Sequence, residues 1–264
     1  MGNSSVVRFE VGAADDRLLV TFYGELFGWG LQGSSWGDYT MIDTRGGGGI
    51  NGGIGKSQTG QPYATFFVET DDLQATLDKA NSLGGTTVVP VTDRGGAMTI
   101  AMFNDPDGLL VGLVQATAEP AQGDEPAPSA GSGEPVDWWE VVGSDAARTQ
   151  QFYADLFGWT VGNSAFPGYA VVDPDTGRGI WGGIGGLEEA RLATVYVSVA
   201  DLEQTLSRVE KLGGSRISAP RLSALKSAAR AALYGAEAVA NDDMETGAFR
   251  DPAGNLFGIY HHSR

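Results

Sequence analysis

The chain of 264 residues has no cysteine, which excludes disulfide frameworks, thiolate nucleophiles and zinc-thiolate centres together. Histidine is almost as scarce. Only His261 and His262 occur, side by side at the C-terminal end, so a metal centre built from several imidazoles cannot be assembled. Positive charge is also short, with 17 Lys and Arg against 33 Asp and Glu and a formal net charge of −16. Such a surface repels phosphate backbones and anionic lipid, and neither nucleic acid nor membrane is an expected partner. No apolar run approaches membrane-spanning length, and Met1 to Val7 has neither a basic lead nor an apolar core. This reads as a mature cytoplasmic protein. The opening Met-Gly-Asn-Ser-Ser is not an acylation signal, because Val6 stands where Ser or Thr is needed.

What the chain does contain is a repeat. Phe22-Tyr23-Gly24-Glu25-Leu26-Phe27-Gly28-Trp29 returns as Phe152-Tyr153-Ala154-Asp155-Leu156-Phe157-Gly158-Trp159. The halves stay in step at an offset of about 130 residues through Tyr39/Tyr169 and Gly52-Gly53/Gly182-Gly183. The turn Asp105-Pro106-Asp107-Gly108 then matches Asp251-Pro252-Ala253-Gly254, about sixteen positions further apart, so the second half carries an insertion.

In the first half, strands are expected over 6–11, 39–43, beside the glycine-rich 46–55, and over 65–69, 86–89, 98–103 and 109–115. Helices are expected from Asp16 to the cap at Gly28 and from Asp72 to Leu83, from apolar positions at helical spacing. The second half repeats this order. Residues 116–135, rich in Ala, Pro, Gly, Ser and acidic residues, read as an exposed linker, dividing a first domain over 1–115 from a second over 136–264. The insertion, about 222–240, has the periodicity of an amphipathic helix. Two readings of it stand: a surface decoration, or a lid whose Arg221, Lys226 and Arg230 face a ligand. The glycine-rich 46–55 resembles a phosphate loop only in composition and reads as a tight hairpin.

The paired Phe-Tyr-x-x-Leu-Phe-Gly-Trp segments, the helix ends Leu83-Gly84-Gly85 and Leu212-Gly213-Gly214, and the Asp-Pro-x-Gly turns before a last strand resemble the vicinal oxygen chelate superfamily, that of glyoxalases and bleomycin-resistance proteins. The resemblance is particularly to its two-domain, metal-free, "hydroxylase"-labelled actinobacterial members. It implies an α+β fold: a tandem of two glyoxalase-like domains, each of two βαβββ modules forming curved mixed sheets with helices outside. It also implies where metal ligands would stand. The matching positions are Arg8, Thr65 and Gly112 in the first half and Trp138, Thr194 and Gly258 in the second, with Gly52-Gly53 and Gly182-Gly183 on the remaining strand. These side chains cannot hold a catalytic divalent metal, and no metal or cofactor is expected.

Alternate residues of a strand share a face. Arg8 therefore groups with Glu10, and Trp138 with Glu140; Thr65, Phe67 and Glu69 share a face, as do Thr194, Tyr196 and Ser198, and Gly258 goes with Tyr260. With Trp36, Tyr39, Phe166, Tyr169 and Trp181 on neighbouring segments, the concave face is expected to be an aromatic pocket with a few polar groups, suited to a small organic ligand. Gly112 and Gly258 are expected to leave room for a flat group. Glu10 and Glu140 are either salt-bridge partners, Glu10 for Arg8 in particular, or buried acid/base groups.

Two functions follow. One is metal-independent binding of a hydrophobic, aromatic small molecule, for natural-product binding, resistance or a biosynthetic accessory role. The alternative is a metal-free tailoring enzyme, a cyclase, isomerase or hydroxylase-associated protein, with Glu10 or Glu140 as acid/base. The partner in either case is a small molecule, and the chain is expected as a monomer with pseudo-dimeric halves or as a homodimer.

Overall fold

A computed structural model describes residues 4–34, 37–57, 59–116, 129–163, 168–173, 178–188, 191–217 and 244–262. Trp36, Phe166, residues 117–128 of the expected linker and the helix expected over 222–240 lie outside the described residues. The first half runs β1 (Val6–Ala13), α1 (Arg17–Phe27), β2 (Gly30–Gly33), β3 (Tyr39–Asp43), β4 (Asn51–Lys56), β5 (Tyr63–Thr70), α2 (Leu73–Ser82), β6 (Thr86–Asp93), β7 (Thr99–Asn104) and β8 (Leu110–Gln115). The second repeats it as β9 (Val136–Gly143), α3 (Ala146–Phe157), β10 (Val161–Asn163), β11 (Tyr169–Val172), β12 (Trp181–Gly186), β13 (Leu192–Ser198), α4 (Leu202–Lys211), β14 (Ser215–Arg216), β15 (Met244–Arg250) and β16 (Leu256–His262). Among the described residues no helix is long and apolar enough to cross a membrane.

Each half builds one eight-stranded mixed sheet, ordered β2-β3-β4-β1-β5-β8-β7-β6 and β10-β11-β12-β9-β13-β16-β15-β14. Within a βαβββ module the first strand pairs in parallel with the last, β1 with β4 and β5 with β8, and the two modules meet at the antiparallel pair β1/β5. Arg8, Glu10, Thr65 and Phe67 sit on these central strands. Two edge strands, β2 and β10, were not expected from sequence, because segments of four and three residues are too short for an alternation to register.

Three of the helices begin on an aspartate whose carboxylate accepts from the backbone N–H three residues on: Asp72 from Ala75, Asp145 from Arg148 and Asp201 from Gln204. These caps satisfy donors that the first helical turn leaves open. Helix α1 ends on Gly28 with φ 70°, its N–H donating to the Gly24 carbonyl, a left-handed stop that favours glycine.

The helices were expected outside the curved sheets. Helix α3 does lie against β9 and β12 of its own half, yet the aromatic side chains also reach across. Phe22 meets Phe249 and Tyr23 meets Phe257, while in the reverse sense Phe152 meets Phe103 and Trp139 meets Phe66. Tyr23 donates to Asp251 at 2.9 Å, and Tyr153 donates to Asp105 at 3.0 Å. The indole of Trp29 donates to the Glu134 carbonyl and that of Trp159 to the Ser4 carbonyl. One continuous buried apolar cluster thus includes residues of both halves. Glycine makes the close approach possible: Gly49 and Gly179, at φ 75° and 76°, are pressed against the Val136 and Val6 carbonyls, where a side chain would collide. The end of the expected linker belongs to this docking as well, since Ser129 donates to Asp43 through both its hydroxyl and its N–H.

Candidate functional site

On β1, Glu10 is paired in register with Gly53 of β4 and Thr65 of β5. Gly53 has no side chain, and a Cβ there would strike the phenol of Tyr39. Tyr39 can therefore lie across β4, and its hydroxyl donates to one Glu10 oxygen at 2.9 Å. The hydroxyl of Tyr63, at the start of β5, donates to the other at 2.5 Å. Arg8 completes the group: its guanidinium donates to the Tyr39 oxygen at 2.8 Å and to the Gly52 carbonyl at 2.9 Å. Arg8 and Glu10 thus meet through the Tyr39 hydroxyl. Glu10 is 4% exposed, and a carboxylate so deep needs these donors.

The second half reaches the same end by a different route. Glu140, 1% exposed, accepts from Tyr169 at 2.8 Å and from Tyr196 at 2.6 Å. Tyr169 corresponds to Tyr39 and lies over Gly183 as Tyr39 lies over Gly53. The second tyrosine has moved, however. Tyr196, in register with Gly258, takes the place that Phe67, in register with Gly112, holds in the first half. Leu192 stands where Tyr63 stands. Trp138 stands where Arg8 stands in the first half and packs with Tyr169 and Tyr196, so a neutral indole replaces a guanidinium at this position.

All four phenols are held above the ordinary tyrosine range, first because burial disfavours the phenolate and then because a glutamate lies beside each; at Tyr39 the Arg8 charge works against this. They stay protonated and act as donors.

Tyr63 was not among the sequence candidates. It belongs to the alternating series of Thr65 and Phe67 on β5, one step earlier, and that periodicity was the available signal.

The other expected lining residues are placed as follows. The space beside Gly112 and Gly258, read from sequence as room for a flat group, is filled by the chain's own Phe67 and Tyr196 rings. Phe67 packs with Ile100 and Met102 in one small cluster, and Trp138, Tyr169 and Tyr196 pack with Val142 and Leu192 in another. The hydroxyls of Thr65 and Thr194 donate to the Leu110 and Leu256 carbonyls, at 2.6 and 2.7 Å, and tie the central strands together. Trp181 is 41% exposed at the start of β12. Tyr260 donates to Asp137 at 2.7 Å. Burial raises the Asp137 carboxyl to about 6 despite that hydrogen bond.

Open space lies at the mouth of the first site. A cavity of about 430 Å³ is bordered by Glu10, Tyr39 and Tyr63 together with Lys56, Ser57 and Arg94, a size suited to a small organic ligand. A second, of about 510 Å³, shares Tyr39, Asp38 and Lys56 with it and extends to Asp15 and Arg17 at the start of α1. The lining is phenolic and charged rather than purely apolar.

The donor set does not fit a divalent metal. Both oxygens of each glutamate already accept from tyrosine, and a guanidinium lies next to the first pair. Among the described residues no three His, Cys, Asp or Glu side chains converge, whereas such ions take several oxygen, nitrogen or sulfur ligands.

Comparison with known proteins agrees with this architecture. Residues 6–113 match the model of the Glyoxalase/Bleomycin resistance protein/Dioxygenase superfamily, and residues 140–260 match that of a glyoxalase-like domain. The anthracycline biosynthesis protein DnrV of Streptomyces peucetius is 25% identical over 238 residues, covering 78% of this chain and 81% of that protein. Among solved structures, the Mn(II)-bound glyoxalase from Novosphingobium aromaticivorans superposes with a TM-score of 0.60 at 13% identity, over 99% of this chain and 84% of that one. The 2,3-dioxygenase LapB from Pseudomonas sp. KL28 does so with a TM-score of 0.60 at 15% identity, over 98% and 92%. Likeness at these identities speaks to fold alone.

Proposed function

Both halves of the chain belong to the glyoxalase/bleomycin-resistance/dioxygenase superfamily, and from that premise we propose that the protein binds an aromatic small molecule at the Glu10 cavity without the help of a metal ion. The observation that carries this reading is the cavity itself, which opens onto the rings of Tyr39 and Tyr63 and onto a carboxylate already fixed by both. Fixed polar groups at the end of an aromatic wall orient a ligand without a large ordering cost. The likeness to a protein of anthracycline biosynthesis supports a natural-product setting, whether accessory or protective. The mutual capping of the halves supports a monomer with pseudo-dimeric halves as the working unit.

Calorimetric titration with a panel of polycyclic phenols, before and after dialysis against a chelator, tests this. Saturable binding that survives chelation is expected. No saturable binding across the panel, or binding restored only by added metal, overturns it.

A second reading is favoured by one contact. Tyr63 places a hydroxyl between the cavity and Glu10 at 2.5 Å, so this pair could relay a proton to or from a bound ligand. Of the two glutamates, Glu10 borders the cavity, while Glu140 is sealed by Tyr169 and Tyr196. Turnover lost in Glu10→Gln but kept in Glu140→Gln, with binding intact in both, would make the protein a metal-free tailoring enzyme.

A further inference from the structure

Arg94 stands in the wall of the same cavity, just beyond β6. Its backbone is fixed by a turn in which its N–H donates to the Met98 carbonyl at 2.7 Å and its carbonyl accepts from Ala97 at 3.3 Å. Its side-chain Nε is buried and has no hydrogen-bond acceptor among the described residues. A buried donor left unpaired is unfavourable, and other parts of the same residue border open space. Lys56 borders the same cavity and is exposed. Two cations bordering one cavity are a marked departure in a chain of net charge −16. The acids nearby do not cancel them equally. Glu10 is engaged by Tyr39 and Tyr63, and Asp38 is exposed at the rim.

We propose that this cavity selects a hydroxylated aromatic carboxylate, with the carboxylate received by Arg94 and the ring lying along Tyr63 and Tyr39. A carboxylate offers the planar pair of oxygens that a guanidinium fork matches. Lys56 adds attraction at the entrance without fixing geometry. The ligand's hydroxyl is left to the Tyr63 and Glu10 pair, whose oxygens can accept from it. This inference rests on the binding reading above and narrows it to ligands carrying an acid.

The test is calorimetric titration of the whole protein with hydroxynaphthoic acid and with its methyl ester, which keeps the ring and the hydroxyl and removes the charge. Wild type is expected to bind the acid about tenfold or more tightly than the ester. Arg94→Gln should erase that preference, so that acid and ester bind alike, and Arg94→Lys should recover part of it. Equal affinity of wild type for acid and ester overturns the acid preference and leaves aromatic binding standing. A preference that survives in Arg94→Gln overturns the role of Arg94. Failure of both compounds and of the polycyclic panel overturns the binding reading itself.

Discussion

The hydroxyl of Tyr39 lies 2.9 Å from Glu10, and the same oxygen accepts from Arg8 at 2.8 Å. One phenol thus joins a buried cation to a buried anion. Tyr39→Phe removes that joint and leaves two charges without their common partner, at an expected cost of about 1–3 kcal/mol, read by chemical denaturation. Tyr63 is half-buried at the cavity edge. Tyr63→Phe should cost less stability and more ligand affinity than Tyr39→Phe, and the reverse order would remove Tyr63 from the binding surface.

Asp137 makes the stability of the fold depend on pH with a definite sign. Burial raises its carboxyl to about 6, above an unfolded value of roughly 4. Between those values the folded chain holds the proton more tightly than the unfolded chain does. Its contribution is therefore full below about pH 4 and is lost as pH rises through about 6. Asp137→Asn keeps an oxygen for Tyr260 and removes the titration. The variant should gain up to about 3 kcal/mol over wild type at pH 7.5 relative to pH 4. Asp105, Glu69 and Glu134 are also raised by burial, so some slope remains. Denaturation midpoints that run parallel in the two proteins across this window would show that Asp137 titrates elsewhere.

The reciprocal bonds from Tyr23 to Asp251 and from Tyr153 to Asp105 tie the unfolding of one half to that of the other. Tyr23→Phe and Tyr153→Phe should each cost about 1–3 kcal/mol, because a buried carboxylate loses a donor. Calorimetry should show one cooperative transition in wild type and in both variants. Two resolved transitions in the wild-type scan would mean that the halves melt separately.

The fold was largely legible because it is written twice. The aromatic helix and its glycine stop recur in register, the Asp-Pro-x-Gly turn recurs beyond an insertion, and the βαβββ order follows from short periodic segments. The strand faces that bring Arg8 to Glu10 and Trp138 to Glu140 followed from alternation alone. What fills the concave faces did not. A sequence shows that Gly112 and Gly258 lack side chains but not that Phe67 and Tyr196 take the space, since that depends on the parallel register of β5 with β8 and of β13 with β16. Tyr63 escaped for a related reason: its reach to Glu10 requires β1 and β5 to run antiparallel with Tyr63 opposite Gly12. Gly49 and Gly179 were visible as repeats, but the carbonyls pressed against them belong to the other half, beyond the range of any local pattern.

The shared core has a consequence for how the molecule behaves on dilution. Phe22 and Tyr23 of one half are covered by Phe249 and Phe257 of the other, so a half cut free would present that aromatic face to water. Covalent continuity turns the meeting of the halves into an intramolecular event with a built-in effective concentration.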